Sequence, residues 1–366
     1  MIRLIHAADL HLDAPFAALS TERGSERREE QRSLLERLAD LCERTQADLV
    51  LLSGDLFDSD RPYYETTQAL ARTLGAMKAR VFIAPGNHDF YSPRSAWASL
   101  AWPENVHIFS SAEIESVELP GLGCVVHGAA FTAPYCDQPP LRGFRAPDDG
   151  AVHLMVLHGD VDGNGRYGSI TSSDIAASGL SYLALGHIHT CSGLQKAGDT
   201  YWAYPGCPEG RGFDELGDKG VLSGGVEPGA ALMDFVPLCS RRYEILTVDV
   251  SRGATPQAAL EAALPGDARR DIYRILLTGE SGIDGLDLDA LEAVAAPRFY
   301  SVTLRDQTRV RRDLWSRADE DTLTGLFLRR MRANLDAPEN GGDRALVEKA
   351  VRFGLAALEN GEDCCP

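Results

Sequence analysis

The sequence predicts an α/β fold: a four-layer α/β/β/α sandwich followed by a small α/β domain and a pair of C-terminal helices. Three observations carry that expectation. Up to about residue 110, strand-like apolar runs alternate with helical periodicity. From there to about 240 the runs shorten and are set apart by Gly and Pro, and after 319 only helical spacing remains.

Taken in order, a strand over 3–8 leads to a long amphipathic helix over 25–44. Asp48-Leu-Val-Leu-Leu-Ser53 reads as a second strand, and a helix over 64–77 aligns Leu70, Leu74 and Met77. With a third strand over 80–84, this βαβαβ opening implies parallel strands with crossover helices. Shorter strands follow over 106–109, 113–118, 124–128, 151–158, 181–185, 193–197, 201–204 and 230–236. Two sheets packed face to face, with helices outside, accommodate both groups. The Pro- and Gly-rich stretch 133–150 is expected to be an irregular surface excursion. Strands over 243–250, 270–278 and 299–304 alternate with helices over 255–264 and 287–295, which makes the small second domain. The expected boundaries are 1–240, 241–305 and 306–366. The last piece holds an Arg-rich linker, Arg305 to Arg317, and helices over 319–335 and 344–359. Leu323, Leu326, Phe327, Met331 and Leu335 form one apolar stripe; Leu346, Val347, Ala350, Val351, Gly354, Leu355 and Leu358 form another. Such stripes usually pack on their own domain, and docking of a partner is the sharper reading.

Composition narrows the function classes. The net charge of −18, from 36 basic and 54 acidic residues, repels nucleic acid on average. A local positive site stays possible, because salt screens distant charges within about 8–10 Å. The eight cysteines form no C-x-x-C pair, and Cys364-Cys365 close the chain, so neither a structural zinc nor a disulfide framework is expected. No signal-peptide pattern opens the sequence and no run of roughly eighteen apolar residues occurs, which gives a cytoplasmic expectation with no membrane partner. No phosphate-binding G-x-x-x-x-G-K-[ST] loop is present, so any ATP hydrolysis belongs to another chain.

The informative residues collect where apolar runs end. The first run closes on Asp9-Leu-His11, whose two polar side chains point to one side of an extended chain. The second closes on Gly54-Asp55, the third on Gly86-Asn87-His88-Asp89, the run 151–157 on His158-Gly159, and 181–185 on Gly186-His187-Ile-His189. Ligands of open α/β sheets sit at the carboxyl ends of strands, so these endings are expected to converge. Two carboxylates, one amide oxygen and four imidazoles (Asp9, His11, Asp55, Asn87, His158, His187, His189) are too many for one ion and suit two. Oxygen and nitrogen donors without thiolate favour manganese, with iron or zinc as the other candidates. Two such ions would share one carboxylate and clamp a phosphoryl group beside an activated water, with His88 in reach as a proton donor. Two divalent cations against Asp9 and Asp55 leave about +2 in the pocket, enough to attract a phosphodiester despite the acidic surface.

In this order, DLH, GD, GNHD, HG and GHIH resemble the five motifs of calcineurin-like metallophosphoesterases. The stretches Ile5-His-Ala-Ala-Asp-Leu-His-Leu-Asp-Ala-Pro-Phe16, Gly54-Asp-Leu-Phe-Asp58 and Tyr204-Pro-Gly-Cys-Pro-Glu-Gly-Arg211 are similar to SbcD-type DNA repair nucleases, in particular a YhaO-like branch. The resemblance implies that Asp9, His11, Asp55 and His189 bind one metal. Asp55, Asn87, His158 and His187 would bind the second, with Asp55 bridging, and His88 would protonate the leaving oxygen or stabilise the transition state. It further implies a DNA-facing cap after Arg241 and terminal helices that dock on the coiled coil of an SMC-like (SbcC-type) ATPase; the chain is expected to work as a homodimer. Two positions depart from the pattern. Asp58 stands where some members have a phosphate-contacting His, and Asp13 where many have Gly.

The expected function is therefore a metal-dependent DNA nuclease acting within a repair complex. Its rivals are a phosphoesterase for nucleotides or other small phosphodiesters, and a catalytically weak scaffold for an ATPase. Blander readings hold elsewhere. His6, His107, His127 and His153 lie in or before strands and read as structural, and Asp89 reads as orienting its own turn. Asp160-Val-Asp-Gly-Asn-Gly165 lacks the third acidic position of a calcium loop and has Thr171 rather than Glu at the twelfth, which leaves Arg166 and Tyr167 beyond it as phosphate or base contacts. The Arg-rich linker reads first as a solvated run and second as a DNA-tracking segment.

Overall fold

Successive residues of the first strands face opposite ways, and both ways are covered. The computed structural model describes every residue except 17–18, 139, 164, 282–284, 311–314, 337–343 and 361–366. Arg311, Arg312 and Asp313 of the Arg-rich segment, Cys364, Cys365 and the side chain of Leu346 thus lie outside the described residues. In chain order the first part comprises β1 (Ile2–Ala7), α1 (Thr21–Thr45), β2 (Leu49–Leu52), α2 (Tyr64–Ala76), β3 (Arg80–Ile83), α3 (Ala96–Ser99) and β4 (Val106–Ile108). Then come β5 (Glu115–Leu119), β6 (Cys124–Gly128), β7 (Val152–His158), α4 (Ser172–Ala177), β8 (Tyr182–Gly186), β9 (Gln195–Ala197), β10 (Thr200–Ala203), β11 (Gly220–Glu227) and β12 (Ala230–Pro237).

These strands build two six-stranded mixed sheets, β12-β11-β1-β2-β3-β4 and β5-β6-β7-β8-β10-β9. Within them β1 through β4 run parallel, as do β6, β7, β8 and β10, so their carboxyl ends lie on common edges. Leu49, Leu51 and Phe82 pack with Val126, Leu154, Val156 and Tyr182 in a core between the sheets. Their neighbours Val50, Leu52, Val81 and Ile83 face the other way, against Leu34, Leu35, Leu38 and Leu41 of α1 and Leu70 and Leu74 of α2. On the outer face of the second sheet, Met155, Leu157, Leu183 and Leu185 are covered by Ile175 of α4 and by Leu141 and Ile170 from irregular chain. This is the expected layering, with a thin fourth layer.

Helix α1 begins four residues before the apolar pattern indicates, because Ser20 caps it by accepting from the Arg23 amide. The helix also carries a fully buried Arg27, whose guanidinium donates to Glu209 (2.7 Å), Glu30 (2.5 Å) and the Gly210 carbonyl (3.0 Å). The chain just before Arg211 is thereby fixed to α1. Strand β11 escaped the sequence pattern although it pairs with both β1 and β12. Its sequence, Gly220-Val-Leu-Ser-Gly-Gly-Val-Glu227, carries glycines that lower strand propensity but allow close backbone approach. A Cβ at Gly220 or Gly224 would overlap the carbonyl of Val236 or Leu232.

The chain divides into two compact units: 1–246 with 264–275 and 295–304, and 247–263 with 276–294 and 305–366. Strands β13 (Tyr243–Asp249), β14 (Ala268–Thr278) and β16 (Phe299–Asp306) form a three-stranded sheet, with α5 (Pro256–Ala263) between the first two. β15 (Glu280–Ser281) and α6 (Leu288–Ala295) come before β16 in the chain, and β15 pairs with β17 (Arg309–Val310), a short strand within the Arg-rich segment. In the second unit α7 (Leu323–Asp336) and α8 (Arg344–Asn360) bury Leu328, Val351 and Leu355 against Trp315 and Phe327, while Leu323, Leu326, Phe353 and Leu358 stay exposed. Among the described residues no helix is long and apolar enough to cross a membrane.

The glycines of β11 make a stability test. Gly224→Ala should destabilise the fold by about 1–3 kcal/mol in chemical denaturation, because the new methyl meets backbone. Gly225→Ala should cost clearly less, since its Cβ crowds the movable Met1 side chain and reaches backbone only at an ordinary contact distance.

Candidate metal centre

The edge where the parallel strands end is built from left-handed backbone. Asp9 (φ 54°), His11 (φ 43°), Asp55 (φ 50°) and His187 (φ 109°) all take a conformation that costs an ordinary side chain about 1 kcal/mol or more. Hydrogen bonds between loops hold it. After β1 and β2 the two chains run on side by side, with the Asp9 amide donating to the Gly54 carbonyl and the His11 amide to that of Asp55, both at 3.0 Å. Gly86 and Gly186 permit the remaining approach, since a Cβ there would collide with Asp55 or with the Ser53 carbonyl.

Asp89 ties two of these loops together. Its buried carboxylate accepts from the amides of Gly86 (2.7 Å), Asp55 (3.2 Å), Leu56 (2.8 Å) and Phe57 (3.2 Å), and its carbonyl accepts from the Trp97 indole. Burial, then Asp55, pushes the Asp89 carboxyl up to about 7, and the backbone donors pull the other way. Asp13 does similar work at the rim. It sits at φ 71°, where glycine would be unstrained, and uses its carboxylate to accept from the Tyr63 amide (3.1 Å) and the Thr66 hydroxyl (2.7 Å) at the start of α2.

All seven sequence-predicted donors meet at this edge. His11 Nε2 and His189 Nε2 are 3.2 Å apart, and His189 Nε2 is 3.9 Å from Asp9 Oδ1. His158 Nε2 lies 2.9 Å from Asn87 Oδ1, which is 3.2 Å from His187 Nδ1. Asp55 stands between the two groups, its Oδ2 3.5 Å from His158 Nε2 and 3.9 Å from His11 Nε2. Its Oδ1 accepts from the His88 amide at 2.8 Å. His88 itself is exposed beside His11 (ring centroids 4.8 Å apart), and its Nδ1–H donates to the Asp58 carbonyl at 3.0 Å, which leaves Nε2 free.

The outer contacts settle the tautomers. His189 Nδ1–H donates to Glu215 (2.7 Å), His11 Nδ1–H to Asp58 (3.0 Å) and His158 Nδ1–H to the Ser53 carbonyl (2.9 Å). Asp58, Glu215 and the Ser53 carbonyl can only accept; Arg211 Nη2 also lies 3.0 Å from His189 Nδ1, but the closer Glu215 carboxylate takes that proton, so each Nε2 presents a lone pair inward. Burial pushes His11 and His187 down to about 4 and lowers His158, which keeps them neutral. Two lone pairs 3.2 Å apart, as on His11 and His189, repel unless a cation lies between them. Bonds of about 2.1 Å at tetrahedral to octahedral angles separate donors by about 3.0–3.4 Å, which the 3.2 Å pairs His11–His189 and Asn87–His187 match, while Asp9–His189 and Asp55–His11 are wider at 3.9 Å. Excess negative charge agrees. Burial and then Asp55 push Asp9 well above the carboxylate range. The donor set therefore fits divalent cations.

The chain matches the calcineurin-like phosphoesterase family over residues 2–191, a span that contains all seven donors and His88. The chain belongs to that family. It is 30% identical over 272 residues to the Bacillus subtilis uncharacterized metallophosphoesterase YhaO, a match covering 71% of this chain and 66% of the relative. It is 26% identical to the Aeropyrum pernix DNA double-strand break repair protein Mre11 (72% of this chain, 68% of the relative). Identity is again 26% to one of the subunits making up the Bacillus subtilis nuclease SbcCD (62% and 67%). The matches thus span about two thirds of each relative's length. Members of that family are phosphoesterases that use divalent metals, and this chain brings together candidate ligand groups for such ions.

Three site residues were not assigned from sequence. Asp58, which departs from the family pattern, and Glu215 orient His11 and His189, and Arg211 joins them at 3.1 Å to Asp58 and 2.8 Å to Glu215. Burial opposes the Glu215 charge, but His189 and Arg211 hold its pKa far below normal. Arg211 lay within a stretch noted for its resemblance, and Glu215 carried no signal. His6 lies between the sheets, bonded to Tyr182, Ser53 and the Leu185 carbonyl. His127 and His153 bond each other at 3.0 Å, and His107 packs between Phe82 and Phe109; none of these four is in the cluster. Asp162 is engaged with Ser172, and Asn164 lies outside the described residues.

Carboxylates that orient metal-binding imidazoles typically matter 10–100-fold in affinity. Glu215→Gln and Asp58→Asn should each weaken manganese binding by about that factor in calorimetric titration, with the folded state retained. Asp89→Ala should instead unfold the site, losing more than about 3 kcal/mol in denaturant melts, because four backbone amides lose a buried acceptor.

Proposed function

We propose that the chain is a metal-dependent DNA nuclease, working by a two-metal mechanism as the nuclease component of an ATPase-driven repair complex. The observation that supports it most is the sharing of Asp55 between two donor groups, with an exposed His88 at their rim. Asp9, His11, Asp55 and His189 would hold one ion and Asp55, Asn87, His158 and His187 the other, manganese being the metal this donor set favours. When bound, the pair supplies a water of lowered pKa and a positive field for phosphoryl oxygens.

The protein's own part is positional. Asp55 is held by the His88 amide and by the Asp89-organised turn, so the shared carboxylate cannot swing away. His88 is fixed through Nδ1–H, and its outward Nε2, once it has taken up a proton from solvent, would pass that proton to the leaving ribose oxygen. DNA as substrate is supported by the likeness to a double-strand break repair protein and to part of a nuclease. A coiled-coil ATPase partner fits the exposed Leu323, Leu326, Phe353 and Leu358 of the terminal helices, and a cytoplasmic homodimer completes the reading.

With manganese the full chain should release mononucleotides from linear duplex DNA, and chelation should abolish the activity until metal is restored. His88→Ala should lower the rate about 10²–10⁴-fold with metal content unchanged. Hydrolysis confined to small phosphodiesters would refute the nuclease assignment, and a metal-free, inactive protein would favour a scaffold.

A further inference from the structure

Beside the second donor group an aromatic ladder climbs to solvent. The Tyr167 ring lies 4.9 Å from that of His187 at 34°, and Tyr135 lies 5.7 Å from Tyr167 at 44°. The Arg166 guanidinium sits 4.6 Å from the Tyr135 ring centre. We propose that Tyr135 and Tyr167, with Arg166 at the outer end, are a stacking platform for the nucleobase of a nucleotide whose phosphate lies at the metal centre. This rests on the nuclease reading above and narrows its substrate class to esters that carry a base.

The platform is anchored by backbone. The Cys136 amide donates to the Arg166 carbonyl (2.9 Å) and the Gly168 amide to the Cys136 carbonyl (2.8 Å), which joins the loops after β6 and β7. Tyr204 secures the second loop by donating to the Gly159 carbonyl (2.8 Å) and accepting from the Val161 amide (2.9 Å). A tyrosine kept only for packing would bury its ring, yet Tyr135 is 50% exposed. Among the described residues, neither platform hydroxyl makes a hydrogen bond, and Arg166 has no carboxylate partner. Aromatic faces plus an unpaired guanidinium, next to a phosphate-directed cluster, suit a base and tolerate any sequence. Stacking also supplies affinity that does not depend on neutralising phosphates, useful to a chain of net charge −18.

Calorimetric binding to the full chain with manganese, using 2′-deoxyadenosine 5′-monophosphate against 2-deoxyribose 5-phosphate, isolates the base. The nucleotide should bind about 5- to 150-fold tighter, and raising salt should leave that ratio unchanged. Tyr135→Leu and Tyr167→Leu should erase the ratio by weakening nucleotide binding alone, and Tyr135→Trp should keep it. Equal affinities in the unaltered protein, or Leu variants that weaken both ligands alike, would overturn the platform. Tyr135 touches no candidate ligand, so its variant keeps the test sound if Tyr167→Leu disturbs His187. A protein that prefers the nucleotide yet cuts no DNA would sink the nuclease reading and leave the platform standing. Cutting without base preference would do the reverse.

Discussion

The placement of Asp55 governs the rest of the site. One carboxylate has to face two imidazole groups from different sheets, His11 from the first and His158 from the second. The chain does this with a left-handed residue braced from three sides. The Asp55 amide is taken by Asp89, its carbonyl by the His11 amide and its Oδ1 by the His88 amide. Strain of this kind persists only where surrounding bonds over-determine it. Remove the brace and the two donor groups lose their common member.

That constraint explains why the donors come from such distant stretches. Parallel strands deliver their carboxyl ends to one edge, and face-to-face packing brings the edges of two sheets together. The core between them, with Leu49, Leu51 and Phe82 against Val126, Leu154 and Val156, sets their distance. The site therefore depends on burial that is remote from it and chemically indifferent to it.

Much of this could be read from the chain alone, for identifiable reasons. Continuous apolar runs located β2, β3, β7 and β8, and the Gly-flanked polar residues just past them marked the cluster. The pattern was less informative where one residue type serves opposite ends: glycine signals a turn, but in β11 it serves close packing under a strand. It gave no hint of Asp58, Arg211 or Glu215 acting together, because charged residues are common and these lie up to 157 positions apart, from 58 to 215. Their partnership exists only after α1, through buried Arg27 and Glu209, has fixed the chain leading to Arg211.

The two donor groups are not chemically equal. His11 and His189 are backed by carboxylates, which raise the basicity of the imidazoles they orient. His158 is backed by a neutral carbonyl, and His187 lies against the Tyr167 ring, so these two receive less electron density from behind. Arg211 tempers the first group by sharing Asp58 and Glu215, and so keeps two outer carboxylates from adding their full charge to the buried Asp9 and Asp55. The outcome is one half of the cluster closed by an ionic frame and another half that opens toward aromatic rings and solvent. On that open side Tyr167 lies against His187, with Tyr135 and then Arg166 beyond it.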